Sequence, residues 1–167
     1  MSELTEVILH LGTNMGLKDI NLMIARALVE YRVGDIQSKS QIYQTAAWGN
    51  TDQEDFYNQA LICHTSLSPE EVLQRVKQIE EQMGRAKGEH WGPRIIDIDI
   101  LFYGDKIVNK QHLKIPHPQL TNRNFVLIPL LDISPQKNHP IVNKTVEILA
   151  RECTDKGQVK LVQVDEH

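Results

Sequence analysis

Asp97 and Asp99 stand two residues apart in a run, 94–103, whose side chains alternate between Ile96, Ile98, Ile100 and Phe102 on one side and Asp97, Asp99 and Leu101 on the other. Alternation with period two marks a β-strand, in which such residues project from the same face with Cα atoms roughly 6.5–7 Å apart. Two carboxylates so placed can close on a divalent cation. Without cations they repel each other. The same pair could instead form a polar strand edge that discourages aggregation, so spacing alone leaves both readings open.

Cations crowd the pair along the sequence. Arg85, Lys87 and Arg94 precede it, with His90 among them, and the stretch 106–131 holds Lys106, Lys110, Lys114, Arg123, His112 and His117 but no acidic residue. In a chain of net charge −4, such segregation of sign reads as an anion site rather than a solvated surface. A carboxylate pair for Mg²⁺ beside guanidinium groups for phosphate oxygens is what phosphoryl transfer needs, because that reaction is catalysed mostly by positioning and charge neutralisation. The sequence has no GxxxxGK[ST] loop, GxGxxG turn or HExxH helix. A polyphosphate would therefore have to be held by arginines, histidines and metal.

Thr45, Trp48, Phe56 and Asn58, with Phe125 further on, could wall a flat heterocycle. Aromatic rings stack on such a group, and an asparagine amide offers its edge both a donor and an acceptor. The same residues would serve equally well in a core or a turn. His64 reads as structural, and His10 has no assigned role.

The elements that must position these groups follow from pattern. Residues 7–11 read as a first strand closed by the loop 12–16. Ile20, Ile24, Ala27, Leu28 and Tyr31 recur at helical spacing up to a stop at Gly34. Residues 36–43 and 56–65 look extended, joined by a polar connection. Ser68-Pro69-Glu70-Glu71 carries an N-cap, a proline at the first helical position and a capping-box glutamate, followed by Val72, Val76, Ile79 and Met83 on one face and Gly84 at the end. Residues 85–93 read as a loop, 94–103 as the clearest strand, 122–131 and 145–153 as helices, and 158–164 as a last strand. Several connections are too short for helical crossovers, which favours an α+β fold, ferredoxin-like, with a mixed or antiparallel sheet over a doubly wound parallel one.

The 167 residues, 41% hydrophobic and 24% charged, suit a single domain spanning 1–167. Net acidity, with a pI near 6.0, argues against a dedicated nucleic-acid binder. Cys63 and Cys153 lack CxxC spacing, and the start Met1-Ser2-Glu3 has no signal-peptide character. The longest apolar run, 125–131, is too short to span a bilayer. A cytoplasmic protein is expected.

The motif Trp91-Gly92-Pro93-Arg94-Ile95-Ile96-Asp97-Ile98-Asp99-Ile100, with Arg85 before it, resembles the 6-hydroxymethyl-7,8-dihydropterin pyrophosphokinase family of folate biosynthesis. Leu11-Gly12-Thr13-Asn14, Tyr43-Gln44-Thr45, Phe56-Tyr57-Asn58, Ile115-Pro116-His117-Pro118, Asn122-Arg123 and Phe125 agree in the same order, so the likeness covers residues 7–133. It implies a three-layer α/β/α fold with a ferredoxin-like core and helices on both faces. It also implies transfer of diphosphate from ATP to the pterin hydroxymethyl oxygen, releasing AMP. By the same resemblance, Asp97 and Asp99 hold two Mg²⁺ ions, and Arg85 and Arg94 contact phosphate. Glu80, Trp91, Ile98, His117 and Arg123 fall on the nucleotide side. Thr45, Asn58 and Phe125 match on the pterin side, with Phe56 where the family often has tyrosine, and Trp48, which with Thr45-Ala46-Ala47 replaces a proline-containing stretch of the family, is placed in the same wall. A monomer is expected, with a weak dimer as the alternative, and neither nucleic acid nor membrane as a partner. Two other readings use the same residues: a metal-dependent phosphodiesterase or nucleotidyltransferase, and a non-catalytic ligand-binding module.

Overall fold

The computed structural model of the chain describes residues 3–46, 53–84 and 95–163. At its centre lies β1 (Thr5–Thr13), which pairs antiparallel with β4 (Phe56–Thr65) on one side and β5 (Asp97–Tyr103) on the other. Its run Val7-Ile8-Leu9-His10-Leu11, apolar but for His10 and buried throughout, suits a strand covered on both faces. The far edge of β4 takes two short strands in succession: β2 (Asp35–Lys39) beside Leu61 to His64, and β3 (Tyr43–Thr45) beside Phe56 to Asn58. The expected single strand over 36–43 is thus two. Ser40 is the reason: its amide donates to the Ala60 carbonyl at 2.9 Å while its hydroxyl, in place of a ladder carbonyl, accepts the Ala60 N–H at 2.9 Å. The last strand, β8 (Lys160–Leu161), pairs with β3 and is shorter than the expected 158–164, of which Val164 lies outside the described residues. A separate hairpin, β6 (Val108–Lys110) and β7 (Leu113–Ile115), was not expected; the alternation of Leu113-Lys114-Ile115 is three residues long, too short to mark a strand by itself.

Two apolar clusters form, one on each face of the sheet. Val7, Leu9, Leu11, Leu61, Cys63, Ile98 and Ile100 meet α1 (Lys18–Arg32) and α2 (Pro69–Gln82). Ile8, Ala60, Ile62, Leu101 and Phe102 meet α3 (Asn124–Ile133) and α4 (Val146–Glu152). Helix α2 begins as the sequence requires: Ser68 Oγ accepts the Glu71 N–H and Glu71 Oε1 accepts the Ser68 N–H, and Val72, Val76 and Ile79 are buried. Helix α3 carries Pro129 buried in its interior.

Two expectations fail. Helix α1 buries Leu22, Ala25 and Val29, whereas of the stripe that marked the helix by its spacing only Leu28 packs against the core and Ile20, Ile24 and Tyr31 are exposed, Tyr31 at 84%. Both stripes have helical spacing, and spacing does not say which faces inward. On β5, Phe102 does not share a face with Ile98 and Ile100. A bulge lets Ile8 oppose Phe102 while Leu9 opposes Ile100, so Leu101 is the extra residue and Phe102 turns toward α3 and α4.

Candidate active site

The face covered by α3 and α4 turns from apolar to polar along the strands. Register places Ala60, His10 and Asp99 in one row across β4, β1 and β5. The next row, toward the open end, is Asn58, Gly12 and Asp97, and Thr45 lies opposite Phe56 beyond it. Residues two apart share a face, so these side chains project together. Helix α3 starts at this end, and the ring of Phe125 in its first turn meets the His10 imidazole edge-on, with centroids 5.9 Å apart.

The recess is shaped by Gly12. A Cβ there would stand 3.5 Å from Phe56 Cδ1 and 3.9 Å from both Asn58 Oδ1 and His10 Cε1, so any side chain would occupy the floor between them. Asn58 is buried, and its Nδ2 donates to Thr45 Oγ1 at 2.9 Å and to the Tyr43 carbonyl at 3.2 Å, which fixes the orientation of the amide. Thr45 and Phe125 also line a cavity of about 240 Å³ with Ala46, Asp155 and Gly157. Outside the wall, Asn14 donates to Gln53 Oε1 and to the Glu54 carbonyl, tying the end of β1 to the approach to β4.

On the β5 side, burial and the neighbouring Asp97 raise the Asp99 carboxyl well above the ordinary carboxylate range, with Arg123 opposing them. Its side chain nevertheless remains 34% exposed. His117 Nε2 lies 3.9 Å from Asp99 Oδ1. His117 Nδ1 accepts the Gln119 N–H at 3.1 Å, so the neutral ring carries its proton on Nε2, facing the carboxylate. Burial, reinforced by Arg123, pushes His117 down to about 4. The Arg123 guanidinium sits 5.7 Å from the Phe125 ring centroid.

Glu80 is buried on α2, and its Oε2 accepts the Ile98 N–H at 2.8 Å. That bond fixes where β5 begins. The Ile98 side chain belongs to the opposite cluster, so what Ile98 can present to a ligand on the free edge is main chain. Arg85, Trp91, Arg94 and Trp48, like Lys87 and His90, lie outside the described residues.

The basic stretch does not gather in space. Lys110 and His112 both bind Glu70 at the start of α2, at 2.8 and 2.9 Å, and Lys106 lies over the Tyr103 ring. Of the described cations, Arg123 and Lys77 are the ones whose charge acts on Asp99, while the neutral His117 ring lies 3.9 Å from its carboxylate. His10, unassigned from sequence, is 4% exposed in the middle of the site. A lone histidine in an apolar strand carries no signal of that position.

An antiparallel sheet flanked by helices, with paired carboxylates on one strand and an amide-and-aromatic recess beside them, defines a small α+β domain that can set a flat organic ligand against a cation-bound anion. The sequence model described as 7,8-dihydro-6-hydroxymethylpterin-pyrophosphokinase (HPPK) matches residues 8–135, and the chain belongs to that family. It is 40% identical over 150 residues to the 2-amino-4-hydroxy-6-hydroxymethyldihydropteridine pyrophosphokinase of Aquifex aeolicus, covering 90% of this chain and 93% of that one. The folic acid synthesis protein FOL1 of Dictyostelium discoideum is 37% identical over 92% of this chain, which spans 23% of that longer protein. In structure, Plasmodium falciparum HPPK-DHPS with pteroate superposes with a TM-score of 0.75 at 20% identity, over 91% of this chain and 43% of that one, a likeness of fold.

Proposed function

We propose that this chain transfers the diphosphoryl group of ATP to the hydroxymethyl oxygen of 6-hydroxymethyl-7,8-dihydropterin, giving AMP and the pterin diphosphate for folate biosynthesis. The observation that carries the reading is the convergence, on one end of one sheet face, of Asp97 and Asp99 with the Asn58–Thr45 amide-hydroxyl pair and the ring of Phe125. In this reading Asn58 and Thr45 read the edge of the pterin while Phe56 and Phe125 cover its faces.

The donor set suits hard divalent cations. Burial first, and the neighbouring Asp97 second, raise the cost of ionising Asp99, and a bound cation relieves both. Asp97 and Asp99 would hold two Mg²⁺ ions, which neutralise polyphosphate charge and acidify a nearby hydroxyl when bound. His117 presents its Nε2–H, and Arg123 its guanidinium, toward the same place, where each can donate to a phosphate oxygen. Glu80 acts on the nucleotide side through the main chain of Ile98. Arg85, Arg94 and Trp91 supply the remaining phosphate and loop contacts, and Trp48 completes the pterin wall. The element order β1-α1-β2/β3-β4-α2-β5, with β5 and β4 flanking β1, supports a ferredoxin-like core in a three-layer α/β/α arrangement. We read the chain as one cytoplasmic, monomeric domain. Among the described residues no helix is long and apolar enough to cross a membrane.

Incubation with ATP, Mg²⁺ and the pterin should yield AMP stoichiometric with pterin diphosphate. Asp97→Ala and Asp99→Ala should each lose at least about 100-fold in kcat/KM, and chelation of the metal should abolish turnover. ADP as the nucleotide product, or full activity in EDTA, would refute the assignment.

A further inference from the structure

We propose that His10 determines specificity in the heterocycle pocket, its Nε2 lone pair accepting a hydrogen bond from an N–H or O–H group of the bound pterin while its Nδ1–H ties the ring to the main chain of Phe125. The inference rests on the pterin reading above and assigns a residue to it. His10 sits in the central strand between Ala60 and Asp99 in register. Its ring donates to the Phe125 carbonyl, and its Nε2 is sealed from solvent without a hydrogen-bond partner, so the donating nitrogen is Nδ1 and Nε2 is left as an acceptor. A buried acceptor left unmatched is costly, and sites retain one where a partner arrives with the ligand.

The neighbours on the same face do not supply that partner. Ala60 and Gly12 have no polar side chain, Asp99 makes no hydrogen bond to His10 Nε2 and has its Oδ1 3.9 Å from His117 Nε2, and Asn58 already spends its NH₂ group on Thr45 and Tyr43. The orientation favours the pocket: Cε1, the carbon between the two ring nitrogens, faces the bare floor at Gly12, and the Phe125 ring that would cover the ligand rests against the same imidazole.

Three substitutions separate the two nitrogens. His10→Gln places an amide near the Nε2 position, His10→Asn keeps a donor near Nδ1 but no acceptor further out, and His10→Phe keeps the ring contact with Phe125 and neither nitrogen. Expected is a pterin KM raised about tenfold or more in His10→Phe and His10→Asn, with the KM for ATP unchanged, and His10→Gln within a few-fold of wild type; a hydrogen bond absent from a site built for it has effects of this order. In the unmodified protein, the ¹⁵N resonance of His10 Nε2 should move on addition of the pterin and stay fixed with an ATP analogue alone, a readout that does not depend on any variant folding. An Nε2 resonance unmoved at pterin saturation, or a folded His10→Phe with wild-type pterin KM, overturns the assignment. A wild-type chain that neither binds pterin nor forms AMP sinks the functional reading and this one with it, whereas turnover with an indifferent His10 sinks this one alone.

Discussion

Two imidazoles beside the carboxylate pair are held neutral, and that has a measurable cost in acid. Burial is the main cause for each: His10 falls to about 4 against the opposing charge of Asp97, and His117 falls to about 4 with Arg123 reinforcing the shift. In the unfolded chain both titrate near 6.5, so between 6.5 and about 4 the unfolded state binds more protons than the folded one. Stability that is complete above pH 6.5 is therefore lost as the pH falls through that window, by at most about 3 kcal/mol for each fully shifted histidine. Asp99, raised by burial and by Asp97, gains stability over the same window, so the histidine contribution is read as a difference between proteins. In urea denaturation at pH 7 and at pH 4.5, His10→Gln should lose less stability on acidification than the parent, by roughly half of the histidine contribution; the same pH slope in both would contradict it. At this scale alternation on a strand made it legible that Asp97 and Asp99 share a face, and the register adds Asn58 and Thr45 to that face. The sequence spoke poorly for the lysines, since nothing local reveals that Glu70, forty residues away, takes Lys110 and His112.

Among the elements, the legible boundaries are those set by local chemistry. The start of α2 follows from the Ser68–Glu71 capping box, and α4 starts after Thr145, whose hydroxyl accepts the Ile148 N–H. What failed depended on partners: the inward face of α1, the break between β2 and β3 at Ser40, and the bulge at Leu101 are decided by neighbouring strands. Gly34 shows the same dependence. It lies where α1 gives way to β2, and a Cβ there would come within 2.0 Å of the His64 carbonyl oxygen. Backbone cannot step aside as a flexible side chain can, so Gly34→Ala should force α1 away from β4 and lower stability by about 1–3 kcal/mol. Thermal or urea unfolding measures this directly. An alanine variant as stable as the parent would mean that the helix end and strand do not meet as described.

In the molecule as a whole, the two apolar clusters share their strands. Val7, Leu9 and Leu11 of β1 serve one side and Ile8 the other, and β4 divides Leu61 and Cys63 from Ala60 and Ile62 in the same way. Neither cluster can dissolve without exposing the reverse face of strands the other needs, so the domain should unfold as one cooperative unit. The site straddles this arrangement: its floor is β1 and β4, its acidic edge is β5, and its aromatic cover hangs from α3. Leu22→Ala in α1 and Leu127→Ala in α3 each remove a fully buried side chain, from opposite clusters. Each should destabilise by about 2–5 kcal/mol. More tellingly, each should leave a single transition in which far-UV circular dichroism, amide protection of β1 and pterin binding are lost at the same urea concentration. If Leu127→Ala instead released α3 and pterin binding at low urea while β1 and α1 stayed protected, the α3 side would be a separately unfolding layer, and the proposed cover at Phe125 would open independently of the sheet that carries the carboxylates.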